Sequence, residues 1–311
     1  MGPLNQSIID KIFSQCQSNA SGELASYIPE LALAERDHFA VSILDLESSR
    51  DINCGRTDVP FTLQSVSKPF TYLLLQQHYT EDFIRHKIGV EPSGEAFNSI
   101  VELEKKTNRP HNPMINSGAI AATALLFEKF EQKTSVIMDD FFSEVLGREI
   151  TFDQKVFESE KATAHRNRSI THLLRHFGII STNDIDYALD LYFRQCSYLV
   201  TAKDLALMGG VVALFGRHPK TNKQVFEASQ AKNVLNLMFT CGMYDSSGEW
   251  AYDVGLASKS GVSGGIVSLL PQKISIATYS PLIDSKGHSL RGMMFIKELA
   301  QKYNLSLFSQ R

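Results

Sequence analysis

Phe39, Val41 and Ile43 alternate with small residues at the period of two that a half-buried strand requires. A turn-rich stretch through Ser48, Ser49, Asp51 and Gly55 follows. Near the other end, residues 265–270 and 273–280 read as two further strands broken by Pro271, and a helix is predicted over about 291–303. Helical periodicity dominates the middle, at 119–133, 189–196 and 225–239, with loops at 89–95 and 108–118. The longest apolar run, 205–216, falls short of the roughly 18 to 20 residues that span a bilayer, so it reads as a buried helix. With no internal repeat, this pattern predicts an α/β fold of the α+β type. A central antiparallel sheet drawn from both chain ends carries flanking helices, with an all-helical domain inserted. The expected division is residues 1–70 with 200–311 as the sheet domain and 71–199 as the helical one.

Composition narrows the function classes. The 311 residues are 43% hydrophobic and 21% charged, enough for a sizeable core and unlike a disordered chain. Lys and Arg total 31 against 34 Asp and Glu, a net charge of −3, so a nucleic-acid-binding surface is not expected. Cys16, Cys54, Cys196 and Cys241 form no C-x-x-C pair, which argues against a disulfide framework or a cysteine zinc site and points to a reducing cytoplasm. Asp10 and Lys11 interrupt any apolar signal core, and Gln6 occupies the position where a myristoylation signal needs Ser or Thr, so no export or lipid anchor is expected. His172 and His176 share a helix face but lack a neighbouring Glu and a third ligand, so they read as surface residues and no metal is expected. Neither a P-loop nor G-x-G-x-x-G is present.

Candidate chemistry begins at Phe61-Thr-Leu-Gln-Ser65-Val-Ser-Lys68-Pro69, whose Ser-x-x-Lys places hydroxyl and amine one helical turn apart. The same pattern at Ser229 and Lys232 reads as two solvent-facing residues. Pro69 distinguishes the first, because a proline deep in a helix loses a bond and clashes, so the helix should begin within a few residues of Ser65. The helix terminus favours negative charge on the serine oxygen and disfavours a proton on the lysine. Gly261-Val-Ser263-Gly-Gly265 matches G-x-S-x-G but reads as a false elbow: a strand follows where a helix is needed, and only Asp284 and His288 remain downstream. Lys259-Ser260-Gly261 resembles the Lys-Thr-Gly strand of penicillin-recognising enzymes, making the Val262 amide a candidate oxyanion donor beside that of Ser65. By themselves, Asn116 or Ser117 read as an N-cap, and Glu160 with Arg166, Asn167 and Arg168 as a solvated charged face.

Taken together, these segments resemble the serine-dependent glutaminases, L-glutamine amidohydrolases related in fold to β-lactamases and penicillin-binding proteins. The resemblance runs in order through Tyr27-Ile-Pro-Glu-Leu, Gln64-Ser65-Val66-Ser67-Lys68, Asn112-Pro-Met-Ile-Asn116, Ser159-Glu160 with Arg166-Asn167, Tyr192 before Gln195-Cys196-Ser197, Cys241-Gly-Met-Tyr244-Asp and Lys259-Ser260-Gly261-Val262. It implies Ser65 as nucleophile and Lys68 as base, with Tyr192 or Tyr244 relaying a proton. Substrate contacts are implied at Tyr27, Ser65, Asn116, Glu160, Asn167, Tyr192, Tyr244 and Val262. Ser117 and Ser263 depart from the Ala and Gly expected there, which bears on substrate preference rather than on the reaction. Neither a metal nor an organic cofactor is implied. A homodimer or homotetramer is.

Glutamine carries an ammonium, a carboxylate and an amide, and each needs a partner once buried. Glu160 is the one carboxylate in the implied set, so it should hold the ammonium, leaving Asn116, Asn167 and tyrosine hydroxyls for the carboxylate. Lys259 is expected to act as a second cation that keeps Lys68 neutral. The competing readings are a β-lactamase, DD-peptidase or esterase on the same scaffold and a silent amino-acid-binding protein. The first lacks a Ser-Asp-Asn motif, and the second leaves the Ser65 and Lys68 pair without a purpose.

Overall fold

The computed structural model describes residues 3–93 and 108–309; Gly94 and Glu95, the end of the loop expected over 89–95, lie outside them. Its largest sheet contains β1 (Ala40–Asp45), β2 (Arg50–Gly55), β3 (Ala257–Ser260), β4 (Gly265–Leu270) and β5 (Ile274–Tyr279). The order is β2-β1-β5-β4-β3 and every pairing is antiparallel. The two chain ends meet where β1 pairs with β5, Ile43 opposite Ile276. The helices that bear on the site are α1 (Gln6–Gln17), α2 (Lys68–His78), α3 (Asn116–Phe130), α4 (Gln154–Thr163), α5 (His165–His176), α6 (Ile185–Ser197), α7 (Ala202–Ala213), α8 (Ala228–Cys241) and α9 (Leu290–Tyr303).

Strand β2 corrects the reading of a continuous turn after residue 48. The chain reverses at Ser49, which takes φ 55, and Arg50 already pairs with Asp45. On this edge strand Ile52 and Cys54 are buried while Arg50, Asp51, Asn53 and Gly55 are exposed, so polar residues hide the strand signal.

Alternation along the strands sorts their side chains between two cores. Val41, Ile43, Ile266, Ile274 and Ile276 pack with Ile9 and Phe13 of α1 and Phe295 and Ile296 of α9. Val267, Leu269, Ala277 and Tyr279 join the core formed by the intervening helices. The apolar run at 205–216 becomes buried helix α7, opened by a capping box between Thr201 and Asp204. It lies against the sheet because Gly209 has no side chain: a Cβ there would come 2.5 Å from Ser275 Oγ and 2.7 Å from Val267 Cγ2.

Helix α2 starts where Pro69 places it. Residues Gln64–Ser67 form a 3-10 turn, and α2 takes over at Lys68 with Pro69 in its first turn, where a missing N–H breaks no bond. No helix among the described residues is long and apolar enough to cross a membrane. All four cysteines are buried and unpaired.

Candidate active site

The turn that carries Ser65 is locally strained. A two-stranded pairing of Phe61 and Thr62 with Leu199 and Val200 leads into Leu63, whose amide donates to Tyr198 O at 2.8 Å. Gln64 then takes φ 49, a left-handed conformation that costs a non-glycine residue about 1–2 kcal/mol, and turns the chain into the helix. Ser65 follows on the wall of a cavity of about 220 Å³.

One turn on, Lys68 is 1% exposed, and its Nζ donates to Asn116 Oδ1 at 2.7 Å. Asn116 Nδ2 in turn donates to Asn167 Oδ1 at 3.1 Å. Asn116 therefore does not cap α3: the N-cap position belongs to Ile115, which makes no side-chain bond there. The preceding loop lies flat on the helix start because a Cβ on Gly118 would be 2.0 Å from Asn112 O. Burial lowers the Lys68 pKa from 10.5 to about 8, with Cys196 and Glu160 pulling it back. Among the described residues no hydrogen bond joins Ser65 Oγ to Lys68 Nζ. A neutral amine that donates one N–H to Asn116 still keeps its lone pair for a proton.

The turn between β3 and β4 rests on the 3-10 turn that carries Ser65. A Cβ on Gly261 would be 2.9 Å from Leu63 O and 3.4 Å from Val66 N, so glycine permits this approach. Val262 lines the cavity next to Ser65, and its amide has no backbone partner among the described residues. After Ser263 the chain enters β4 and no helix follows, which removes the nucleophile-elbow reading. Lys259 is fully buried; its Nζ donates to Ser260 O at 2.7 Å and lies 4.0 Å from the Tyr244 ring centroid. Its pKa falls well below the ordinary value, through burial first and Lys68 second. Burial is the first cause in both amines, and Lys68 lowers Lys259 further.

Tyr244 stands behind the serine rather than on the cavity wall. Its hydroxyl lies near enough to the Ser65 side chain to feel it electrostatically and donates to Ser260 O at 3.2 Å, and its backbone takes φ 51. Tyr244 apart, every residue expected around the substrate lines the one cavity. Glu160, on α4, is 6% exposed, which corrects the solvated-face reading, and its Oε1 accepts the Tyr27 hydroxyl at 2.6 Å. Burial raises its pKa, opposed by the hydrogen bond from Tyr27 and by Lys68. Tyr27 is 49% exposed overall even though its hydroxyl is engaged, so it forms part of the cavity rim. Tyr192 is buried on α6, and burial pushes its phenol well up.

Gln64 and Arg166 also line the cavity, and neither stood among the expected contacts. Gln64 lies 2.8 Å from the Tyr27 hydroxyl. Arg166 brings a permanent positive charge where only Asn116, Asn167 and tyrosine hydroxyls were expected for the carboxylate; its adjacency to Asn167 was the available signal. Ser117 and Ser263, the two departures, are buried off the cavity wall. His172, His176, Ser229 and Lys232 are exposed, as read.

A pocket with a serine at a helix start, a buried amine of lowered pKa, free amides and a buried carboxylate suits acyl transfer from a small amino acid amide. Comparison with known proteins gives the family. The glutaminase family model matches residues 22–308. A glutaminase of Trichormus variabilis is 41% identical over 301 residues, covering 97% of this chain and 89% of the relative. One from Clostridium tetani is 40% identical, covering 97% of this chain and 99% of the relative. Among solved structures, Mglu in its tris and glutamate form superposes with a TM-score of 0.94 at 35% identity, over 100% of this chain and 69% of that one. The probable glutaminase of Bacillus subtilis gives 0.90 at 32% identity, over 97% of each chain. This chain belongs to the glutaminase family, and its activity is the hydrolysis of glutamine.

Proposed function

We propose that this hydrolysis runs through an ester on Ser65 with Lys68 as general base, and that the cavity residues act as follows. The observation that carries the reading is a buried lysine of lowered pKa one turn from a serine on the cavity wall. Mglu has a glutamate form, and the same amino acid fits the role of product here. Glu160, steadied by the Tyr27 hydroxyl, takes the ammonium, while Arg166, Asn116 and Asn167 present donors to the carboxylate. Clamped at that end, the substrate directs its amide carbonyl to Ser65. Ser65 Oγ bonds to the carbonyl carbon and its proton passes to Lys68, as the amides of Ser65 and Val262 receive the oxyanion. Collapse breaks the C–N bond, and Lys68 returns the proton to the departing nitrogen, which leaves as ammonia. Water then attacks the ester, Lys68 again takes the proton, and glutamate leaves as Ser65 regains its hydrogen. Tyr244 and Tyr192, both protonated, relay protons and steady the oxyanion at this second step.

The direct test is an acid-quenched reaction examined by peptide mass spectrometry. A glutamyl adduct is expected on the peptide containing Ser65; an adduct on another residue, or none under rapid quench during turnover, sinks the acyl-serine route. Glu160→Gln is expected to raise KM for glutamine by at least about 100-fold, because the buried ammonium loses its counter-charge. The same change should move the inflection of the pH profile downward, since Glu160 raises the pKa of Lys68. A KM within threefold of wild type would remove Glu160 from the ammonium.

The division into 1–70 with 200–311 around 71–199, a homodimer or homotetramer and a cytoplasmic location belong to the same proposal. The unpaired cysteines support a reducing compartment, and family membership supports self-association.

A further inference from the structure

Behind the serine lies a buried histidine that the reaction scheme above does not use. His288 is 0% exposed, in the turn before α9. Its ring stacks on that of Tyr244, with centroids 5.4 Å apart and planes at 21°. Its Nδ1 lies 2.9 Å from Ser260 Oγ, and the carbonyl of the same Ser260 accepts both the Tyr244 hydroxyl and Lys259 Nζ. The histidine is rigidly held. Asp284 Oδ1 accepts the amides of Lys286 and His288, the Asp284 amide donates to His288 O, and Ser289 caps α9.

Packing alone does not call for a histidine here. An apolar ring would stack equally well without the desolvation cost of an imidazole, whose Nε2 is buried with no partner among the described residues. Placing the hydrogen on Nδ1 leaves only a lone pair at Nε2, so Nδ1–H donates to Ser260 Oγ. Burial holds the imidazole well below its ordinary pKa, at about 4, so the group is neutral beside Lys259. Tyr244 needs such support: at φ 51 it lies outside regular helix or strand geometry.

We infer that His288 is a positioning residue that fixes the Tyr244 hydroxyl against Ser65, by stacking on the ring and by anchoring Ser260, the shared acceptor behind it. This rests on the proposed role of Tyr244 in the reaction. His288 touches neither the cavity nor the substrate, so its removal should slow chemistry and leave binding intact.

The test compares His288→Ala, Tyr244→Phe and the double variant in the full-length enzyme with glutamine. His288→Ala is expected to lower kcat by about 10- to 100-fold, the scale of a displaced catalytic group, with KM within about twofold. Adding it to Tyr244→Phe should cost little more, because the hydroxyl it positions is already gone. His288→Asn, whose side-chain amide can reach the position of Nδ1, should recover part of the rate. If the alanine variant does not fold, His288→Asn and His288→Phe keep the hydrogen bond and the ring contact respectively and carry the same comparison. A wild-type kcat in the His288 variants, or losses that multiply in the double variants, overturns the inference alone. Wild-type turnover by Tyr244→Phe overturns the role of Tyr244 and the inference with it.

Discussion

Ser65→Ala is expected to cut the release of ammonia from glutamine by about 10⁴-fold or more, the scale seen when a covalent nucleophile is removed. The protein should otherwise remain intact. Losing one hydroxyl forfeits no more than about one hydrogen bond, about 1 kcal/mol, so the melting temperature should shift by only a few degrees. Glutamate binding by calorimetry should persist, because the groups assigned to the ammonium and carboxylate are untouched. The adduct seen in quenched wild-type enzyme should vanish. Turnover within tenfold of wild type would mean that Ser65 does not attack the substrate.

The second large effect is expected at Lys68. Lys68→Met keeps the approximate length, leaves no buried charge and removes the base, so kcat should fall by about 10³-fold, in the middle of the range for general-base catalysis. Asn116 Oδ1 then loses its 2.7 Å donor, a buried acceptor left unpaired, which should lower stability by about 1–3 kcal/mol. Lys68→Arg should not restore turnover, because a guanidinium stays protonated. The wild-type pH profile supplies the complementary measurement. The base must be unprotonated, so kcat/KM should rise about tenfold per pH unit below about 8 and level off above it. About a tenth of the lysines are neutral at pH 7 on that value. A profile flat from pH 6 to 9, or a rate that falls as pH rises through 8, would exclude Lys68 as the base.

The parts of the site legible in the amino-acid order are those governed by short-range geometry. Ser65, Lys68 and Pro69 share one turn and the first turn of a helix, so their spacing and the proline's lost donor predict both the helix start and the facing side chains. Gly261 was readable as a close backbone approach, though not what it approaches, which is Leu63 O and Val66 N. Strand β4 was legible at 265–270 because it is buried along its whole length, whereas β2 was not, because this edge strand leaves four of its six residues to water.

Longer-range relations were not legible. Lys68 meets Asn116 across 48 positions and Tyr27 meets Glu160 across 133, and no local period carries such pairs. The same holds for His288, 28 positions from Ser260. Glu160 looked like a surface charge beside three basic or polar neighbours, and Arg166 looked like one of those neighbours; only packing separates the buried carboxylate from the exposed cation.

The sequence by itself determined the residue types available for acyl transfer, the helix start beneath Ser65 and the antiparallel strands from both ends. These depend on dihedral restrictions and hydrophobic period within a few residues. The tertiary structure decided how far the pKa of each of those groups moves. Lys68 falls to about 8, Lys259 falls further and the Glu160 carboxyl rises chiefly through the degree to which water is removed from each, and desolvation is a property of the assembled core rather than of any segment.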